Sequence, residues 1–375
     1  MTKYAFFLML MLSISGWVLI NCSAPIARIP ASGVVGGQDI ETTVDSESAR
    51  YYLEQYLQEE QNDAELDSLC HQVHCCKMNG LPQREFLKHL SDRFSVDYAA
   101  LYLAKRILEN KANRRIQAVY KRELESMRTE FKKGLSSSDK YDSAYVFLFV
   151  PGWDYVESGP NTGADFARPR EILTELGIEN YLIEFEANGS VERSARIVAD
   201  EINHDRYRDR KIILVSASSG GPTAALALGS LLTLQQTSGV KAWLNIGGIL
   251  RGSPVVDYFL SWPKSWLARA VLLIKGWDLD SIRSMSVKKS RPRFNRLHFP
   301  EHLLIINYVG IPLSGDITEL AKDKYSILRE FGPNDGLTLI TDALVPSGLT
   351  VVELGRDHFF NEDPEIDLKT VALTR

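Results

Sequence analysis

Residues 211 to 225 read K-I-I-L-V-S-A-S-S-G-G-P-T-A-A, and this stretch constrains the chain more than any other. The apolar run Ile212 to Val215 predicts a buried strand. It stops at small residues and passes into an Ala-rich segment that predicts a helix. Ser218 sits at the corner. A sharp strand-to-helix turn of this kind lifts a serine hydroxyl clear of a sheet, and it needs small residues two places before and two places after, where backbones crowd. Ser216 and Gly220 hold those places. The pattern is therefore S-x-S-x-G, with serine where glycine is usual. The turn also has a plainer reading, an ordinary strand-helix connection with glycines for tight packing.

A serine nucleophile needs a base, and the base needs an orienting acid. On a strand-turn-helix serine the chain order is Ser, then Asp or Glu, then His. Three histidines follow Ser218: His298, His302 and His358. His358 comes just after the apolar run Leu349 to Leu354, in L-G-R-D-H-F-F, where a last strand would deliver it. His302 opens the apolar run H-L-L-I-I-N-Y-V, and His298 lies in a basic stretch. The acid is expected between those last two strands. Asp335, in G-P-N-D-G-L-T, is the first choice, and Asp316, in S-G-D-I-T, is the second. The Asn-Asp-Gly sequence is also turn chemistry in its own right.

Acyl chemistry further needs two N–H donors aimed at the developing alkoxide. Ser219, directly after the nucleophile, supplies one. The run Y-V-F-L-F-V, Tyr145 to Val150, ends in P-G-W-D, and the backbone N–H of Gly152 or Trp153 is the expected second donor.

These residues resemble the α/β-hydrolase family, and within it the bacterial lipases and esterases, over roughly residues 143 to 361. W-L-N-I-G-G-I-L-R-G-S-P at 243 to 254 is similar to the strand that precedes the lid of lipase-type members, and N-D-G-L-T followed by D-A-L-V-P to their acid loop. The resemblance implies a mostly parallel sheet with helices on both faces. It also implies catalytic Ser218, Asp335 and His358, with Ser219 and the 152–153 backbone as oxyanion donors. It implies acyl-enzyme chemistry on an ester, which needs no metal or organic cofactor; an apolar acyl group is expected from the tryptophan-rich insertion at 255–300. The same fold hosts thioesterases, acyltransferases and non-catalytic binding proteins, so the reaction does not follow from the fold.

At the start of the chain, Lys3 precedes A-F-F-L-M-L-M-L-S-I-S-G-W-V-L-I and then Asn-Cys-Ser. A short basic region before an apolar one predicts an export signal over 1–22. At about 17 apolar residues it is also nearly long enough to span a bilayer as an uncleaved anchor. L-I-N-C resembles a bacterial lipobox, which would make Cys22 a lipidation site and tether the protein to a membrane. The expected location is the periplasm or cell envelope, or the medium. For an exported chain, Cys70 is expected to pair with Cys75 or Cys76. The cluster C-H-Q-V-H-C-C, with His71 and His74, also carries zinc-type ligands, but its spacing fits no standard zinc pattern. No metal site is expected.

The remaining chain divides as follows. Residues 23–47, rich in Pro, Gly, Ser and Thr, predict a linker. Residues 48–137 predict a helical N-terminal extension, because Leu101, Leu108, Ala112, Ile116, Val119, Leu124, Met127 and Phe131 recur at helical spacing. Residues 138–375 form the hydrolase-like domain, with an insertion at 255–300 expected to cap the site. That insertion holds Trp262, Trp266 and Trp277, half of the six tryptophans. Trp262 and Trp266 are the expected contacts to an apolar acyl group, although buried helix packing is an equal reading. The basic stretch 287–298 predicts a solvated loop. A formal net charge of −5 gives no support to nucleic-acid binding.

Overall fold

The computed structural model describes residues 26–60, 62–74, 80–132, 144–266, 272, 277–360 and 363–375. The export signal, Cys22, Cys75, Cys76 and the boundary at 137/138 lie outside the described residues. Strands β1 (Ile29–Val35) and β2 (Gln38–Val44) form an antiparallel hairpin where a linker over 23–47 was expected. Val35 pairs with Gln38, so Gly36 and Gly37 alone make the turn, with φ of 58° and 72°. Two successive positive φ values are what a two-residue hairpin turn demands. The inward face of β1 carries Ala31, Gly33 and Val35, and Gly33 hides the alternation. A Cβ there would lie 2.7 Å from the Leu53 carbonyl oxygen of the next helix.

Among the described residues, five helices follow: α1 (Glu47–Glu54), α2 (Ala64–His74), α3 (Arg84–Arg93), α4 (Val96–Glu109) and α5 (Lys111–Lys132). Ser46 and Ser95 cap α1 and α4 by accepting from the Ala49 and Tyr98 N–H groups. Helix α4 is almost wholly buried. With the hairpin it packs against Val309, Ile311, Leu344 and Val352, so the extension shares one core with the main sheet.

That sheet has six parallel strands: β3 (Tyr145–Val150), β4 (Asn180–Leu182), β5 (Lys211–Ala217), β6 (Val240–Ile246), β7 (Leu304–Ile311) and β8 (Leu349–Leu354), in the order β4-β3-β5-β6-β7-β8. Its strands are apolar runs because both faces are covered. Helices α6 (Ala167–Glu175), α7 (Val191–Ile202) and α8 (Gly220–Leu226) follow β3, β4 and β5. Val146 and Leu148 of β3 face α7 and α8, while Phe147 and Phe149 face α5 and α6. β8 is an edge strand, and side chains of the hairpin and the extension take up its free backbone groups. Asn113 accepts from Thr350 N–H at 2.9 Å, Gln117 accepts from Val352 N–H at 2.8 Å, and Gln38 donates to Val352 O at 3.0 Å. An edge covered in this way cannot template pairing with another chain.

Between β6 and β7 lie α9 (Pro254–Leu260), α10 (Leu279–Ser284) and α11 (Val287–Phe294). The basic stretch is a helix and not the expected solvated loop. Arg291 binds Asp342 and Arg293 binds Glu192, each at 2.7 Å, while Lys288 and Lys289 remain exposed. Charge counting alone could not tell which cations turn inward. The last elements are α12 (Lys322–Leu328) and α13 (Ile366–Ala372).

Candidate active site

β5 ends at Ala217, α8 begins at Gly220, and Ser218 lies between them with φ of 52°. A left-handed backbone is uncommon for any residue but glycine, and here the crowded turn imposes it. A Cβ on Gly220 would lie 2.4 Å from Val150 O and 2.6 Å from Pro151 O, so only glycine fits. Ser216 explains its own departure from the usual pattern. Fully buried, its Oγ accepts a hydrogen bond from the Trp243 indole at 2.8 Å, so the hydroxyl satisfies a buried donor of the next strand.

His358 and Asp335 meet Ser218 from the loops after β8 and β7. His358 Nε2 lies 3.0 Å from Ser218 Oγ, and Nδ1 lies 2.8 Å from Asp335 Oδ2. A carboxylate only accepts, so Nδ1 donates and Nε2 is left to accept the serine proton. The other Asp335 oxygen accepts from the N–H groups of Leu337 and Thr338 at 2.9 and 2.7 Å, and the Asp335 carbonyl accepts from His358 N–H at 2.7 Å. Asp335 and His358 are both buried. A serine elbow after β5, an acid after β7 and a histidine after β8, on this strand order, decide the architecture. The chain has the α/β-hydrolase fold.

Asp316 lies elsewhere. It accepts from Thr42 Oγ1 at 2.5 Å and from Leu313 N–H at 3.0 Å, and so ties the hairpin to the loop after β7. Burial raises its carboxyl above the ordinary value. His302 binds Thr237 O at 3.0 Å, and the His298 N–H binds Gly229 O, both away from Ser218. Asp357 stands out only in the structure. Its carboxylate accepts from Thr318 N–H at 2.9 Å, Thr318 Oγ1 at 2.7 Å and Phe359 N–H at 3.0 Å, which holds the His358 loop in place.

The donor pair needs one correction. Gly152 N–H is committed to Ala164 O at 2.9 Å, which removes it from the pair. Its contribution is space, since a Cβ there would lie 3.1 Å from Ala164 Cβ and 3.3 Å from Ser218 Cβ. Among the described residues, the backbone N–H groups of Trp153 and Ser219 have no acceptor.

A cavity of about 520 Å³ opens onto Ser218 and His358, lined largely by Trp153, Phe166, Trp277, Leu320, Leu337 and Phe359. Trp153 and Trp277 meet edge to face at 5.8 Å. Trp262 and Trp266, the expected acyl contacts, do not line it. They are 87% and 58% exposed on the segment after α9. An apolar cluster in sequence carries no direction, and the tryptophan that turns inward is Trp277. In the extension, Cys70 is buried, accepting from Tyr98 OH at 3.5 Å, and His74 binds Tyr52 OH at 2.7 Å. The proposed partners of Cys70 lie outside the described residues.

No family model matches the chain, and no curated protein matches it. Among solved structures it is similar to the metagenomic carboxyl esterase MGS0156, at 18% identity and a TM-score of 0.49, over 62% of this chain and 74% of that one. It is also similar to the mature lipase BlEst2 of Bacillus licheniformis, at 19% identity and 0.47, over 61% and 91%. A third is the phospholipase PlaB of Legionella pneumophila, at 12% identity and 0.38, over 53% and 45%.

Proposed function

We propose that the protein is a serine ester hydrolase acting on carboxylic esters with an apolar acyl group. The observation that carries this reading is the continuous contact from Ser218 through His358 to Asp335, beside two uncommitted N–H groups. His358 Nε2 takes the Ser218 proton as Oγ attacks the ester carbonyl. Asp335 holds the imidazole in the required tautomer and stabilises the imidazolium that forms. The N–H groups of Trp153 and Ser219 stabilise the tetrahedral oxyanion. His358 then protonates the leaving alkoxide, which departs and leaves an acyl group on Ser218. Water, deprotonated by His358, attacks the acyl-enzyme and releases the acid.

The apolar lining of the cavity supports an apolar acyl group, because burying it removes hydrocarbon from water. The test is turnover of aryl esters from acetyl upward by the wild type and by Ser218→Ala. We expect turnover that rises with acyl length and is lost in the variant. Turnover that survives in Ser218→Ala, or its absence from every ester in the wild type, would overturn the reading. An exported, membrane-tethered enzyme rests on residues 3–22 alone. Mass spectrometry of the mature N-terminus tests it, with lipid on Cys22 as the expected outcome.

A further inference from the structure

Trp262 and Trp266 turn away from the cavity and into water. They are 87% and 58% exposed, and Phe259, at the end of α9, is 45% exposed. Large apolar side chains clustered on a surface mark a place of contact. This cluster is held in shape. The Ser261 N–H and hydroxyl donate to Tyr258 O at 3.3 and 2.7 Å, and the Ser265 N–H donates to Ser261 O at 2.8 Å. Lys264 Nζ sits 3.2 Å above the centre of the Tyr258 ring, which meets the Phe259 ring edge to face at 5.3 Å. The charge around the cluster is one-sided. α9 packs against α10, α11 and α12. Asp257 of α9 accepts from Val287 N–H at 2.7 Å, and Lys288 and Lys289 follow on α11, both exposed. The acids at the start of α10 are matched, Asp278 by Arg193 at 3.1 Å and Asp280 by Arg283 at 3.4 Å. Lys264, Lys288 and Lys289 have no carboxylate partner among the described residues. This face is therefore positive, on a chain whose formal net charge is −5.

We infer that this face docks on an anionic lipid–water interface, with the tryptophans seated among the headgroups and the lysines against their phosphates. Indole suits that boundary, because it joins a broad apolar ring to a single N–H donor. Each lysine close to an anionic lipid surface adds attraction. A second copy of the chain is a poorer partner, since a two-fold contact would bring the lysines of one copy toward those of the other. Leu320, 44% exposed, lines the cavity just ahead of α12, so the face borders the cavity mouth. The docking stands apart from the reaction. Only its consequence, that the cavity draws its acyl chain from the lipid layer, rests on the proposed esterase reading.

The test uses the whole chain carrying Ser218→Ala, so that lipid is not consumed, with the same N-terminus in every variant. Tryptophan emission is titrated with vesicles of phosphatidylcholine bearing brominated acyl chains, with and without phosphatidylglycerol. Bromine quenches rings that reach the acyl layer, so a tether at the N-terminus does not itself quench these two. Their emission is the difference between this protein and the same chain with Trp262→Ala and Trp266→Ala. Phe at both positions replaces Ala as the reference should the Ala pair fail to fold. We expect that emission to be quenched on the anionic vesicles. Lys288→Ala with Lys289→Ala should raise the lipid needed for half-quenching about 25-fold, or about fivefold per lysine. Emission of the two rings that no vesicle quenches overturns the docking. Equal quenching with and without phosphatidylglycerol overturns the anionic partner. A change in the same emission with protein concentration, in the absence of lipid, assigns the face to a contact between copies and overturns the inference too. Ester hydrolysis by the wild type is measured separately, so its failure leaves the docking result standing.

Discussion

At the scale of single residues, Ser216 couples the elbow to its neighbouring strand. Its hydroxyl is the partner of the fully buried Trp243 indole. Ser216→Gly restores the usual pattern but strands that N–H, and it should lower stability by about 1–3 kcal/mol. Urea unfolding measures this, and an unchanged midpoint would show that the indole finds another acceptor. The two candidate acids separate just as sharply. Asp335→Asn removes the acceptor that fixes the His358 tautomer and should lower kcat by about 10³- to 10⁴-fold. Asp316→Asn disturbs the hold on Thr42 and should cost stability with little effect on rate. The reverse ranking in a kinetic assay would contradict the geometry. The meeting of Ser218, Asp335 and His358 is legible in the sequence because chain order and flanking strands limit the choices. Asp357 is not legible, since its role depends on which way a loop carboxylate points.

At the scale of elements, the hairpin and α4 meet the catalytic domain through a buried carboxyl. Asp97 Oδ2 accepts from Asp45 N–H at 2.8 Å, and Oδ1 accepts from Ser314 N–H and Oγ at 3.0 Å and from Tyr325 OH at 3.3 Å. Asp45 in turn pairs with Arg329 at 3.0 Å. Burial first, and the Asp45 carboxylate second, push the Asp97 carboxyl from 3.8 up to about 8. The folded protein thus keeps a proton that the unfolded chain releases. The stability this proton contributes is full below about pH 4 and is lost as pH rises through about 8. Asp97→Asn should flatten that part of the pH–stability curve, measured as urea midpoints at several pH values. A slope between pH 4 and 8 equal to that of the wild type would contradict this. The helices of the extension are readable from periodicity and caps. The hairpin is not, because Gly33 interrupts the alternation exactly where α1 approaches, and a glycine-rich segment without visible period reads as a linker.

At the scale of the whole molecule, a sheet closed over by an extension on one edge and an insertion above leaves one apolar cavity at the elbow. Each substrate methylene that enters it should gain about 0.8 kcal/mol, roughly three- to fourfold in specificity constant, until the cavity is full. Trp277→Ala should move the acyl length at which the gain stops, and Trp262→Ala should not, because Trp262 is exposed away from the lining. A kinetic series from acetyl to longer chains on both variants checks this, and the opposite assignment would place the cap the other way round. The fold class follows from the strand-turn-helix pattern and the order of the site residues. The facing of the cap does not, since an amphipathic insertion can turn either way without altering its composition. The most direct measurement of the central claim is fluorophosphonate labelling followed by peptide mass spectrometry. A single label on Ser218, none on a folded Ser218→Ala variant, and slowed labelling in Asp335→Asn are expected. A label on Ser216 or Ser219, or a folded wild-type protein that takes no label, would contradict that claim.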